Sequence, residues 1–235
     1  MKRELLDRLL RARRAKRAAA VVTDLASGEQ WLYEAGPQDQ QEGVPAGLGE
    51  EALAAVRAAL RADRAAPVDV GGRALFVNVW NPPLRMIVIG AVHIAQPLVR
   101  AAELAGFDVF IVDPRHAFAA DARFPGVSIS TQWPDEALTA LAPDARCAIV
   151  ALTHDPKLDD PALAVALRSE AFYIGALGSR KTHAKRIERL REHGFSTEEI
   201  ARIRAPVGLA IGALTPAEIA ISIAAEVIQQ LRQPA

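Results

Sequence analysis

Residues 85–113 have the sequence RMIVIGAVHIAQPLVRAAELAGFDVFIVD, in which two short apolar runs flank a segment with helical spacing. Short, continuous apolar runs are typical of parallel strands that are buried on both faces, and parallel strands are joined by a crossover helix. The sequence therefore predicts a β-strand, an α-helix and a second β-strand that belongs to the same parallel sheet.

The same alternation continues towards the end of the chain. Apolar runs recur in GVSIS, RCAIVALTH and AFYIGAL, and helix-forming segments occur in DEALTALA, PALAVALRSE and SRKTHAKRIERLREHG. A further helix is predicted between Asp113 and GVSIS, and a last one from about Pro216 to Leu231. We therefore predict an α/β fold whose C-terminal domain is a Rossmann-like, doubly wound parallel sheet.

Residues 1–82 have a different pattern. A basic amphipathic helix opens the chain, and two hairpins are predicted around Ser27-Gly28 and Gly71-Gly72, with a helix in EEALAAVRAALRA between them. Asn81-Pro82-Pro83 then ends the strand pattern, because proline has no N–H to donate to a sheet. We predict a smaller N-terminal α+β domain over residues 1–82 and the Rossmann-like domain over residues 84–235.

The composition is that of a globular protein: 51% of the residues are hydrophobic and 24% are charged. Lys plus Arg and Asp plus Glu both number 28, so the chain lacks the overall basic charge typical of nucleic-acid binding. Its apolar stretches are too short for a membrane-spanning helix. A single cysteine, Cys147, cannot form an intramolecular disulfide or a multi-cysteine metal site. We therefore expect a cytoplasmic protein with no metal site.

The first turn of the predicted Rossmann-like domain, Gly90-Ala91-Val92-His93, lies where a dinucleotide-binding fingerprint has a second glycine. Val92 places a β-branched side chain there, which disfavours close approach of a pyrophosphate to the backbone. Asp113 ends the next predicted strand, at the position where dinucleotide enzymes bind a ribose hydroxyl. Two interpretations stay open, a turn kept for packing and a ligand site at this edge of the sheet.

Two later loops reach the same edge, because the carboxyl ends of parallel strands lie side by side. His154-Asp155-Pro156 follows one strand, and Asp155 is also suited to capping the next helix. Gly178-Ser179-Arg180-Lys181 follows another and combines a flexible glycine, a hydroxyl group, helix amides and two cations. Because two cations in a first helical turn oppose the helix dipole, this loop favours anion binding over capping alone.

Five segments in this order extend the pattern: GAVHIAQPL, FIVDPRHAF, THDPKLDDPAL, GALGSRKT and APVGLAIGALTPAEIAISIAAEVI. Together they resemble the XdhC/CoxI family, maturation factors for molybdenum hydroxylases such as xanthine dehydrogenase, over residues 84–231. The resemblance implies a cytoplasmic chaperone, not an enzyme, that binds the molybdenum cofactor. Such a chaperone protects the cofactor while a cysteine desulfurase adds its terminal sulfido ligand, and then delivers it to the apo molybdenum hydroxylase.

The sequence departs from the family pattern at two places. Val92 stands where the family usually has a second glycine, and the Ser-Gly-Gly-Cys motif of many N-terminal segments has no match here. No role of that motif's cysteine therefore passes to Cys147, which lies in an apolar run typical of a buried, inert thiol.

Under this resemblance, one crevice binds the phosphorylated pterin, either as molybdopterin or as its dinucleotide. We expect Arg180 and the amides near Ser179 to bind its phosphate, Asp113 to bind a hydroxyl or ring N–H, and His93 or His154 to contact other polar atoms. The complete predicted lining contains no catalytic residue and no metal ligand, and comprises Gly90, His93, Asp113, His154, Asp155, Gly178, Ser179 and Arg180.

Two other functions are compatible with the same residues. An NAD(P)-dependent oxidoreductase is suggested by the sheet and by Asp113, although Val92 disfavours it. A ligand-free docking scaffold for hydroxylase assembly is suggested by Val92 and by the basic first helix. The last predicted helix is apolar around much of its circumference, so we also expect a homodimer.

Overall fold

The structure is a computed structural model that describes residues 2–35, 49–115 and 121–233. The chain divides into two compact units, an N-terminal unit of residues 1–82 and a C-terminal unit of residues 83–235. Within the described ranges, no helix has the length and apolar character that crossing a membrane would require.

The N-terminal unit contains a four-stranded antiparallel sheet in the order β2-β1-β4-β3, in which the two predicted hairpins, β1–β2 and β3–β4, are confirmed. Helices α1 and α2 pack against alternating residues of β1, Ala19 and Val21 for α1 and Ala20 and Val22 for α2, and so cover opposite faces. The elements are α1 (Arg3–Arg14), β1 (Ala19–Asp24), β2 (Gln30–Glu34), α2 (Glu50–Ala62), β3 (Ala66–Val70) and β4 (Arg73–Trp80).

Asp24 closes the first hairpin, and its carboxylate accepts hydrogen bonds from the amides of Ala26 and Ser27 and from the guanidinium of Arg73. The Ser27 amide, followed by Arg73, lowers the pKa of Asp24 to about 2. A carboxylate whose pKa is lower in the folded than in the unfolded chain stabilises the fold above its unfolded pKa.

We therefore expect the Asp24→Asn variant to be less stable than the wild type at pH 6, with the difference shrinking as the pH falls from about 4 towards 2. Urea denaturation of both proteins across this range measures the two free energies of unfolding. An equal difference at pH 6 and pH 2 would contradict the lowered pKa.

The C-terminal unit alternates strands and helices, as the sequence predicts. Its elements are β5 (Leu84–Ile89), α3 (Ala95–Leu104), β6 (Phe107–Val112), β7 (Ser128–Ser130), α4 (Pro134–Leu141), β8 (Cys147–Ala151), α5 (Pro156–Arg168), β9 (Tyr173–Ala176), α6 (Arg180–Glu192), α7 (Thr197–Ile200), β10 (Ile203–Arg204) and α8 (Pro216–Arg232). The helix predicted after Asp113 falls partly on residues 116–120, outside the described residues, and residues 121–123 form one turn of 3-10 helix.

The six strands of this unit form a parallel sheet in the order β7-β6-β5-β8-β9-β10, which confirms the Rossmann-like, doubly wound fold. The chain progresses outward in one direction from β5 and in the other from β8, so the topological switch point lies between these two strands. Ligands of such sheets bind outside the carboxyl ends of the strands at the switch point.

Helices cover both faces of this sheet, which leaves its edges for ligands. Every residue of β5 and β8 is buried. Ile87 and Ile149 belong to the core beneath α4, α5 and α6, whereas Val88 and Val150 belong to the core beneath α3 and α8. The loops after β5 and β8 at the carboxyl edge are therefore anchored to fully buried strands.

Candidate functional site

Gly90 brings the loops after β5 and β8 into contact at the switch point. Its φ is +105°, and a Cβ atom there would lie 2.6 Å from Thr153 Cγ2 and 3.3 Å from Thr153 N. The Gly90 amide also donates to the carbonyl of Val112 over 2.8 Å. Both the backbone conformation and the close approach demand glycine, so packing alone accounts for this residue.

Asp113 is completely buried, and both of its carboxylate oxygens accept hydrogen bonds from groups of the same chain. Oδ2 accepts from the Ala91 amide and from Arg115 Nη2, both over 2.8 Å, while Oδ1 accepts from the amide and Nε of Arg115 over 3.0 and 2.9 Å. Burial acts to raise the pKa of Asp113, but the bonds from Arg115 and Ala91 outweigh it and hold the pKa below its ordinary value. Four donors occupy the acceptor positions of this carboxylate, so these contacts weigh against the predicted bond from Asp113 to a ligand hydroxyl.

A second arginine, Arg123, contacts the same turn, since its Nη1 donates to the carbonyl of Ala91 over 2.8 Å. Ala91 is therefore bonded through its N–H to Asp113 and through its C=O to Arg123. Arg115 and Arg123 were not predicted as parts of this turn. The available signal for Arg115 was its place two residues after Asp113, within reach of that carboxylate.

The loop after β8 is organised by Thr153, whose hydroxyl donates to Asp159 Oδ1 over 2.6 Å and accepts from the amide of Asp155 over 3.1 Å. Asp155 caps α5, because its Oδ1 accepts from the amide of Lys157 over 2.9 Å. His154 is exposed and has a left-handed backbone, with φ +61°. The capping interpretation of Asp155 is confirmed.

The loop after β9 leads directly into α6. Gly178 has a φ of +137°, and Ser179 is the N-cap of α6, its hydroxyl accepting from the amide of Thr182 over 3.2 Å. Arg180 and Lys181 are exposed, and the first turn of α6 contains no acidic residue. Their amides stand at the first two positions of α6, where a helix has no carbonyl of its own to accept from the N–H groups. Ser179 therefore caps the helix, while the remaining amides and the two cations can attract an anion.

Beneath these loops, Asp159 of α5 faces Arg186 of α6, with Asp159 Oδ2 and Arg186 Nη2 3.5 Å apart. Arg186 Nη2 also donates to the carbonyl of Leu177 over 3.1 Å. Burial raises the pKa of Asp159 and lowers that of Arg186. Neither residue was predicted as part of the site, because an arginine in the very basic α6 is expected on a solvated face.

Seven of the eight predicted residues lie in the loops that follow β5, β6, β8 and β9, and Arg180 is the first residue of α6, at the same carboxyl edge. The structure joins them through packing and through buried partners: Gly90 contacts the loop after β8, and the Asp159–Arg186 pair connects that loop with the one after β9. His93 is exposed in the turn between Gly90 and α3.

Two features of the described residues bear on metal binding and on thiolate chemistry. Across residues 2–35, 49–115 and 121–233, no group of three or more His, Cys, Asp or Glu side chains could hold a metal ion. Cys147 is completely buried in β8, and burial raises its pKa to about 11, so its thiol stays protonated at neutral pH.

Comparison with known proteins identifies the family of the C-terminal unit. Residues 86–227 match the family model described as the XdhC Rossmann domain. The molybdenum cofactor insertion chaperone PaoD of Escherichia coli K12 is 34% identical over 148 residues, which cover 63% of this chain and 40% of PaoD. A probable xanthine dehydrogenase subunit of Bacillus subtilis 168 is 32% identical over 162 residues, covering 68% of this chain and 47% of that protein.

A solved structure extends the similarity to both units. The crystal structure described as a xanthine dehydrogenase from Bacillus halodurans has a TM-score of 0.67 and 26% identity, and the match covers 99% of this chain and 65% of that one. The alignments to PaoD and to the Bacillus subtilis protein span less than half the length of either.

Proposed function

The chain belongs to the XdhC family, and on this premise we propose that it is a chaperone that carries the molybdenum cofactor to an apo molybdenum hydroxylase. The name of PaoD, a molybdenum cofactor insertion chaperone, supports this role. The observation that carries the proposal is the loop after β9, where the start of α6 has two exposed cations and no acidic residue in its first turn.

The residues at this edge fit the phosphate of the cofactor. The cofactor is a pterin that bears a phosphate. A helix N-terminus that carries Arg180 and Lys181, with first-turn amides that no carbonyl of the helix can bond, is suited to that group. Cys147 is buried and protonated, so it does not supply a thiolate for the molybdenum atom. The protein would thus hold its cargo through the phosphate, with Arg180 and the amides of α6 as the contacts.

The contacts of the first turn weigh against a nicotinamide-dependent oxidoreductase. Such enzymes bind pyrophosphate with the amides of this turn and a ribose hydroxyl with the acidic residue after the second strand. Here the Ala91 amide is bonded to Asp113, and Asp113 is also bonded to Arg115. We therefore rank cofactor carriage above hydride transfer.

The proposed function also involves a sulfur donor, a particular form of the cofactor and a second copy of the chain. We propose that a cysteine desulfurase adds the sulfido ligand while the cofactor is bound, and that the cargo is molybdopterin or its dinucleotide. Self-association as a homodimer stays a prediction; Ile221 and Ile228 of α8 are exposed and supply an apolar surface for it. A ligand-free docking scaffold is the alternative that fits if no cofactor binds.

Cofactor retention tests the proposal directly. The chain is produced in a host that makes molybdopterin, purified, and assayed for released pterin by fluorescence after oxidation. We expect about one pterin per wild-type chain and a roughly 10-fold lower affinity in Arg180→Ala, because one charge-assisted phosphate contact is lost. Arg191→Ala, which removes an exposed cation from the last turn of the same helix, should retain the pterin.

Other outcomes of the pterin-retention assay would change the assignment. Wild-type protein without pterin would exclude cofactor carriage and favour the docking scaffold. Equal loss of pterin in Arg180→Ala and Arg191→Ala would indicate a general effect of charge, and equal retention in Arg180→Ala and the wild type would exclude Arg180 from the binding site.

A further inference from the structure

Buried polar atoms of Asp159 on α5 and of His183 and Arg186 on α6 lie between these two helices, and we call the three residues the buried cluster. Only 1% of the surface of Asp159 and 2% of that of Arg186 is exposed. The cluster is tied to two loops of the carboxyl edge: Thr153 donates to Asp159, and Arg186 donates to the carbonyl of Leu177, the residue before Gly178. It therefore lies directly beneath the loop after β9.

The hydrogen-bonding groups of this cluster are poorly satisfied. Asp159 Oδ2, His183 Nδ1, and both Nε and Nη1 of Arg186 are buried without a hydrogen-bond partner. The 3.5 Å separation of Arg186 Nη2 from Asp159 Oδ2 is longer than a charge-assisted hydrogen bond. Buried polar groups in native proteins are almost always paired, so this exception requires an explanation.

Two other arginines of the C-terminal unit, Arg85 and Arg189, have acceptors for their guanidinium groups. Arg85 donates to the carbonyls of Leu141 and Ala142 and to Asp144. One turn beyond Arg186, Arg189 binds Asp160 through both Nε and Nη2. Among the described residues, Arg186 is the arginine whose buried N–H groups lack acceptors.

The side chain of Arg186 is directed towards the start of α6. Arg186 follows Ser179 by seven residues, two helical turns, and helical side chains point back towards the helix N-terminus. The bond to the Leu177 carbonyl fixes the guanidinium beneath the loop that carries Ser179 and Arg180. A purely structural residue between two helices would be better served by an apolar side chain.

We propose that Arg186 is a ligand-binding residue, and that its guanidinium and the N-terminus of α6 form one site for a phosphate group. The inference rests on the proposed function and names the residue that recognises the phosphate of the cargo. On binding, ligand oxygens accept from the unpaired Nε–H and Nη1–H groups of Arg186, while Nη2 keeps its bond to the Leu177 carbonyl. Asp159 keeps its hydrogen bond from Thr153.

A titration of the cofactor-free full chain with inorganic phosphate tests this site. In the 15N-labelled protein, the Nε–H signals of Arg186 and Arg189 are followed by NMR at constant ionic strength, with chloride as the compensating anion. We expect the Arg186 signal to shift and saturate, and the Arg189 signal to stay fixed because Asp160 already binds it. We also expect Arg186→Lys to bind phosphate roughly 10-fold more weakly, and Arg189→Lys to bind it as the wild type does.

The possible outcomes separate this inference from the proposed function. If the amides of Arg180 and Lys181 respond to phosphate while the Arg186 signal does not, phosphate stays at the surface and the inference is wrong, although cofactor carriage stands. A chain that retains pterin but shows no response of Arg186 leads to the same conclusion. Should Arg186→Lys fail to fold, the wild-type titration still decides, because its Nε–H signals are assigned through bonds.

Discussion

Replacement of Asp113 by alanine is expected to lower the free energy of unfolding of the C-terminal unit by about 3 kcal/mol, the lower end for removing one partner of a buried ion pair. Asp113 is completely buried and accepts four hydrogen bonds, three of them from Arg115. Its loss leaves the Ala91 amide without its acceptor. Arg115 is one-third exposed, so water compensates part of the loss on that side.

Urea denaturation followed by circular dichroism measures this change. The control is Asp108→Ala, an exposed position of β6, the strand that precedes Asp113, where we expect a change below about 0.5 kcal/mol. The result also separates two roles of Asp113. A variant that is as stable as the wild type but no longer retains pterin would restore the ligand role expected from the sequence and contradict the role in holding the turn.

Gly90→Ala is expected to cost about 3 kcal/mol, because two penalties add. A left-handed backbone costs a residue with a Cβ atom about 1 kcal/mol, and forcing extra volume into a packed position costs about 2 kcal/mol more. The matched control is Gly106→Ala, since Gly106 has a φ of +87° but no heavy atom within 4 Å of an added Cβ. The Gly106→Ala variant should therefore lose only the roughly 1 kcal/mol that the left-handed backbone costs.

The double variant Gly90→Ala/Thr153→Ser isolates the second penalty. Thr153→Ser removes the Cγ2 atom that would lie 2.6 Å from the new Cβ and keeps the hydroxyl that donates to Asp159. We expect it to recover about 1 kcal/mol of the loss in a double-mutant cycle. Additive losses would show that the loops after β5 and β8 do not touch as described.

The fold class was predictable because its signals are local. Each parallel strand is buried on both faces and therefore appears as a continuous apolar run, and Ser27-Gly28 and Gly71-Gly72 mark the hairpins of the N-terminal unit. The strand β10 was missed because it consists of Ile203 and Arg204, too short and too polar for a periodic signal. The short helix α7 was missed for the same reason.

The candidate site was predictable only in its location. Chain order places the loops after parallel strands at one edge, so His154, Ser179 and Arg180 could be brought together from the sequence. The orientation of side chains could not be predicted. The sequence does not reveal that Arg115 folds back onto Asp113, or that Asp159 meets Arg186 across two packed helices.

Asp159 also has a consequence for how fast a bound phosphate leaves. If phosphate binds Arg186 as proposed, Asp159 stays beside the same guanidinium throughout the bound state, because its Oδ2 lies 3.5 Å from Arg186 Nη2. Its carboxylate then competes with the ligand for the guanidinium, which would shorten the residence time of the ligand. Under the proposed function, this counter-ion would favour transfer of the cofactor to the hydroxylase over prolonged retention.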